Sequence, residues 1–215
     1  LSSENTTFAH QFDSAEQQQE SATLGMWLFL VTEIMFFGGL ITCYVVYRNL
    51  YVEGFIAASK ELNLWLGAAN TAVLICSSLT MAMAVHCAQL GKRKATVVFL
   101  ILTVILGCAF LGVKAVEYHE KFTHHHVPGP NFHFEEAEYA RPAQMFFSLY
   151  FAMTGLHALH MVIGVGLMSW LIYHASRGRY SPQYYSPVEM CGLYWHFVDI
   201  VWIFLFPFLY LIGGH

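Results

Sequence analysis

The sequence predicts an all-α fold, a polytopic membrane helix bundle with five transmembrane helices. Three observations predict it. Of 215 residues, 57% are hydrophobic and only 11% are charged, where a soluble domain carries roughly a quarter charged residues. The charges gather in short segments between long apolar stretches. Five of those stretches reach or exceed the about 20 residues that a helix needs to cross the hydrocarbon core.

Taken in order, residues 1–23 form a polar, acidic N-terminal segment. Leu1 to Glu20 contains no Lys or Arg and no apolar run, so it reads as a surface tail rather than a signal peptide. The transmembrane domain follows over 24–215. Its first span covers about 24–47, interrupted only by Glu33, and the second about 64–88. Gly91-Lys92-Arg93-Lys94 makes a short basic turn into the third span, about 95–116. The fourth, about 143–173, starts after Arg141-Pro142, proline being suited to a helix's first turn. The fifth, about 190–212, contains Pro207, where a kink is expected.

Basic residues in short loops orient a membrane protein. Lys92, Arg93, Lys94, Arg177 and Arg179 fall on the N-terminal side, and Arg48, Lys60, Lys114, Lys121 and Arg141 on the other. The numbers tie, but the N-terminal five are packed into two short turns. This density predicts an inside N-terminus and an outside C-terminus, with the Glu- and His-rich loop 117–141 facing outward. Trp27, Tyr47, Trp65, Tyr173, Tyr184, Tyr185 and Tyr210 near span ends suit the aromatic belts of the two interfaces.

A net charge of −4 leaves no basic footprint for nucleic acid. Five scattered cysteines without CxxC spacing argue for packing rather than a disulfide framework or thiolate metal site. Ionisable groups inside spans are functional candidates because burying them costs several kcal/mol. Glu33 lies mid-span without an evident cationic partner. His157 and His160 share one helix face with Gly164, a spacing open to metal ligation but better suited to packing. His196 and Asp199, three apart, read as an intrahelical polar pair or a proton relay. His124-His125-His126 reads as a solvated run in the acidic loop. No nucleophile elbow, phosphate loop, HExxH or CxxCH motif is present, so no catalytic constellation emerges.

Longer stretches carry a resemblance. Tyr194-Trp195-His196-Phe197-Val198-Asp199-Ile200-Val201-Trp202 resembles the WHFVDxVW signature of subunit III of haem–copper oxygen reductases. Thr154 to Gly164 resembles that family's TGxHGLHVxIG helix, with Ala158 where glycine is usual. Ala69-Asn70-Thr71-Ala72-Val73-Leu74 resembles its LNTxVL helix start, and Gly107 to Tyr118 its LGxxFxxxxAxEY segment. Leu28 to Phe37 resembles its FxxSExxFF helix, with Thr32 and Glu33 in the serine and glutamate places. These matches run in family order from Leu24 to Gly213.

The resemblance implies the five-helix form of subunit III found in bacterial cytochrome c oxidases. Such a subunit sits in the bacterial plasma membrane and has no cofactor of its own. Haem and copper belong to its partners, subunits I and II, and the complex reduces oxygen to water while pumping protons. Electrons arrive from cytochrome c or quinol. Quinol-oxidising members often carry aspartate where this chain has Glu33, which tilts the reading to cytochrome c; the five-helix length pulls towards quinol. The chain is then expected to hold phospholipid and support subunit I. Glu33, His157 and His160 would face the lipid cleft or support proton uptake. His196 and Asp199 would form a structural pair, and Lys92, Arg93 and Lys94 are headgroup candidates by charge. A subunit III-like partner of nitric oxide reductase is a lesser alternative. A stand-alone membrane cytochrome or transporter is an alternative of another class.

Overall fold

The computed structural model describes residues 14–123, 127–129, 132, 134, 136–182 and 184–211. They form six α-helices: α1 (Ala15–Leu50), α2 (Val52–Lys60), α3 (Leu64–Gln89), α4 (Arg93–Thr123), α5 (Ala140–Ser176) and α6 (Ser186–Phe206). A 3₁₀ turn, Ala137–Tyr139, precedes α5, and α6 runs on into a π-helical turn, Pro207–Leu211. Five helices are long and apolar enough to cross a membrane: α1, α3, α4, α5, and α6 with its π turn.

The helix ends differ from the expected spans for local reasons. Helix α1 starts within the polar segment expected over 1–23, because Ser14 caps it, its hydroxyl accepting the Gln17 N–H at 3.1 Å. Glu16 in the first turn complements the helix dipole. Helix α4 continues through Thr123, so Lys114 and Glu117, read as a helix end and a loop, belong to one continuous helix. Helix α3 begins at Leu64, with Asn63 as its cap accepting the Leu66 N–H. At Pro207, which has no N–H to donate, the α-helical pattern gives way to the wider π turn.

Helix α2 was not expected from the sequence. Its Gly54, Phe55, Ala58 and Ser59 are buried, and it folds back against α5. A Cβ at Gly54 would lie 2.3 Å from Pro142 Cβ, so only glycine admits this approach.

Helices α3, α4, α5 and α6 pack in a ring, α3 against α4 and α6, and α5 against α4 and α6; α1 lies outside it against α5 and α6. Trp195 of α6, fully buried, is the central side chain. A Cβ at Gly107 would stand 2.8 Å from its ring and one at Gly164 2.7 Å, so the glycines of α4 and α5 are the slots that receive the indole. Its N–H donates to Ser77 Oγ of α3 at 3.0 Å. One residue therefore ties all four ring helices.

Candidate functional site

Glu33 has a partner that the sequence did not reveal. Its Oε2 lies 3.2 Å from His160 Nε2, across the α1–α5 contact. The approach is off-line for a hydrogen bond, and Oε2 is otherwise buried without one. His160 Nδ1 sits 2.9 Å from the Leu156 carbonyl, which can only accept, so Nδ1 carries a hydrogen. Nε2 is the ring atom that faces Glu33. Phe37 and Tyr194 flank the imidazole, and the Tyr194 hydroxyl donates to the His160 carbonyl at 3.0 Å.

His157, expected to act with His160, points elsewhere. It is buried between the rings of Phe110 and Trp202, at 5.4 and 5.2 Å, and neither ring nitrogen has a hydrogen-bond partner. The two histidines therefore do not converge. Among the described residues no three His, Cys, Asp or Glu side chains gather as metal ligands do.

The expected His196–Asp199 pair is corrected as well. His196 Nδ1 is hydrogen-bonded to Ser78 of α3 at 2.7 Å. Asp199 lies beside the same serine, yet neither carboxyl oxygen makes a hydrogen bond of good geometry. Facing helices win here because both side chains look inward to α3 rather than along their own helix surface. Trp202 repeats the pattern, its N–H donating to Thr71 at 3.1 Å.

Of the basic turn, Lys92 and Lys94 are exposed, while Arg93 Nε donates to the Ala175 carbonyl at 3.1 Å and caps α5. The His124–His126 run lies outside the described residues.

Sequence reasoning missed a buried charged knot. Lys114 Nζ donates to Glu117 Oε2 at 2.9 Å, Tyr150 OH at 3.2 Å and Tyr210 OH at 2.8 Å. The Tyr150 hydroxyl donates to Glu117 Oε1 at 2.8 Å, and Tyr210 donates to the same oxygen. All three ammonium hydrogens have acceptors, as a buried lysine requires. Trp202 adds a ring face 4.7 Å from the ammonium. The available signal was the i, i+3 spacing of Lys114 and Glu117, which only matters once α4 is known to continue.

An apolar groove of about 450 Å³ runs between α1 and α6, lined by Leu30, Ile34, Phe37, Ile41 and Phe197, with His196 at its edge.

The family model described as cytochrome c oxidase subunit III matches residues 2–214. The chain belongs to this family. Quinol oxidase subunit 3 of Bacillus subtilis is 30% identical over 210 residues, covering 95% of this chain and 96% of that protein. Cytochrome c oxidase subunit 3 of Thermostichus vulcanus is 30% identical over 205 residues, covering 93% and 92%. The chicken (Gallus gallus) cytochrome c oxidase subunit 3 is 30% identical over 203 residues, covering 91% of this chain and 71% of the longer relative. The protein is subunit III of a haem–copper oxidase, an oxidoreductase complex in which it works with other oxidase subunits. Five spanning helices and bacterial relatives fit an inner-membrane protein.

Proposed function

We propose that this chain is the non-catalytic subunit III of a proton-pumping cytochrome c oxidase, holding phospholipid and supporting subunit I from the bacterial plasma membrane. One observation carries the reading. The intramembrane histidines are committed to separate internal tasks: His157 to an aromatic box, His160 to Glu33 and His196 to Ser78. A stand-alone cytochrome or transporter would turn them towards a common centre. Haem and copper then reside in subunits I and II, and the N-terminus is cytoplasmic. Lipid acyl chains fit the α1–α6 groove, and headgroups meet the basic turn of Lys92, Arg93 and Lys94.

Affinity purification from membranes in mild detergent tests the reading. The chain is expected to co-purify with haem-bearing partners and to be colourless when released from them. A Soret band stoichiometric with the isolated chain would overturn it. Turnover with reduced cytochrome c is expected to exceed turnover with quinol; the reverse would make the complex a quinol oxidase.

Glu33 and His160 support proton uptake as a polar contact beside the catalytic subunit. Glu33→Gln keeps the shape and removes the carboxyl group. Turnover lifetime of the assembled oxidase is expected to shorten severalfold while assembly persists. Unchanged lifetime and lipid content would reduce the pair to a tolerated packing contact.

A further inference from the structure

Six tyrosine and tryptophan side chains are buried among the described residues: Tyr44, Tyr150, Tyr194, Trp195, Trp202 and Tyr210. Each donates its one polar hydrogen to a neighbour, as buried phenols and indoles require. The acceptors sort them into two classes. Tyr44 and Tyr194 donate to the backbone carbonyls of Phe208 and His160, and Trp195 and Trp202 to the hydroxyls of Ser77 and Thr71. Carbonyls and hydroxyls hold a hydrogen bond without taking the proton. Tyr150 and Tyr210 instead donate to one carboxylate oxygen, Glu117 Oε1. That oxygen is a base.

The distinction decides which ring can undergo one-electron chemistry. A phenol that loses an electron becomes a strong acid, so it holds the oxidation only where a base lies within hydrogen-bond reach, about 2.6–3.2 Å. Tyr150 meets that condition at 2.8 Å. Glu117 receives three donated hydrogens, two phenolic and one from Lys114, and offers none, which is the ionised form of a carboxyl. The two hydroxyls stand 3.5 Å apart, so the phenols share one base.

Trp202 is the adjacent indole, its ring 6.4 Å from that of Tyr210. The Lys114 ammonium lies 4.7 Å from its face, and a cation there opposes positive charge on the indole. An oxidation reaching Trp202 therefore passes on to the phenols, where loss of the proton leaves the ring neutral. On the other side the half-buried Tyr118 ring stands 6.3 Å from Tyr150, its hydroxyl bonded to Thr154. Ring contacts this short let an electron tunnel between neighbours. Tyr150 and Tyr210 themselves are closed to solvent, so an oxidised ring there is shielded from side reactions.

We infer that Tyr150, Tyr210 and Glu117 form a redox site, a buried tyrosine pair that takes up single oxidising equivalents. One electron leaves a phenol for a one-electron oxidant, and the phenolic proton crosses to Glu117. A neutral phenoxyl then stands beside a carboxylic acid, and the oxidant has been reduced by one electron. One electron returned from the donor that feeds the complex restores the phenol as Glu117 gives the proton back. Lys114 is the positioning residue, its three bonds holding both phenol oxygens and the carboxylate in one cluster. With Glu117 neutral the ammonium loses its counter-charge, which a buried site resists, so the pair relays oxidation rather than storing it. The oxidant arises where the complex reduces oxygen; for that source alone the inference rests on the oxidase reading.

Electron paramagnetic resonance of the purified complex, frozen after a flash with ruthenium tris-bipyridyl and persulfate, reads the site directly. This reagent generates a one-electron oxidant without using the haem. The wild-type complex is expected to show a tyrosyl signal, narrowed by ring-deuterated tyrosine, with a component lost in the variant carrying Tyr150→Phe and Tyr210→Phe. Tyr210→3-aminotyrosine keeps the hydroxyl and its bonds, so it decides the matter even if the double variant does not fold. Its ring is more easily oxidised and is expected to trap the equivalent as an aminotyrosyl signal, which a purely structural knot would not give. Equal tyrosyl signals in wild type and double variant, or an aminotyrosine left unoxidised, would overturn the site. Hydrogen peroxide added in place of the flash is expected to give the same component through the oxygen-reducing partner. A signal from the flash alone would overturn that partner as the source of oxidant. Haem content is measured on the same sample, so failure of the oxidase reading is seen independently.

Discussion

At the end of the bundle where α1 begins, Lys92, Lys94, Arg177 and Arg179 face outward and only Arg93 is bonded internally. At the opposite end the chain draws its charge inward. Lys114 is 4% exposed and Lys121 5%, the first in the tyrosine–glutamate knot and the second donating to the Glu61 carbonyl. What stays exposed there is largely acidic: Glu53, Glu61, Glu120, Glu136 and Glu138 beside Lys60 and Arg141. Of five basic residues at each end, four stay free at one, whereas at the other Lys114 and Lys121 are buried, Arg48 is half-buried and only Lys60 and Arg141 are exposed. The difference teaches that charge counting ties because it cannot see burial. Only free cations feel the membrane's surface potential, so the four exposed at one end outweigh an equal number of basic residues partly drawn inside at the other.

The sharpest way to break this contrast is to treat one lysine from each end alike. Lys114→Met leaves Glu117 buried without its cation, and removing one partner of a buried pair costs about 3–5 kcal/mol. Lys92→Met at an exposed turn is expected to stay within about 0.5 kcal/mol. Thermal unfolding in detergent compares them, and Lys114→Met combined with Glu117→Leu should recover much of the loss. Similar unfolding temperatures for the two single variants would mean that the knot carries no more stability than a surface charge.

Tyr210→Phe probes the same knot more gently. The hydroxyl both accepts from Lys114 and donates to Glu117, so its removal leaves two buried charged groups one bond short. The expected cost is about 1–3 kcal/mol. Because Tyr210 lies in the π turn at the end of α6, the loss should also raise protease sensitivity there. An unfolding temperature equal to that of wild type would show that Lys114 and Glu117 suffice alone.

Why the knot escaped the sequence is a matter of period and distance. Apolar runs reveal spans because lipid demands them, so the five crossings and the all-α fold were legible. The partners of Lys114 come from positions 150 and 210, and no local pattern announces such contacts. Glu33 illustrates the same limit. Its depth was legible, but His160 was read as the companion of His157 on one helix face. Facing helices, not helical spacing, decide where a buried imidazole turns. Helix α2 stayed hidden because nine residues cannot display a membrane-length run. The glycines at 107 and 164 were visible as letters, but their function as slots for Trp195 depends on three helices meeting.

The smallest expected effect distinguishes the turn surface from the knot by pH. The Tyr180 hydroxyl lies at the crevice between the two basic segments, buried and without a hydrogen-bond partner. Burial pushes its pKa from 10.0 up to about 12; Cys191 and Tyr184 add to the rise and Arg179 opposes it. The folded chain therefore keeps this proton between pH 10 and about 12 while the unfolded chain releases it. Stability from this group is intact below pH 10 and declines as pH climbs through the folded value. Tyr180→Phe removes that decline, so the gap between variant and wild-type unfolding temperatures should shift in the variant's favour over this alkaline window. A constant gap would mean that the hydroxyl is solvated and that the crevice is looser than Arg93 and the contact of Gly91 with Pro182 make it.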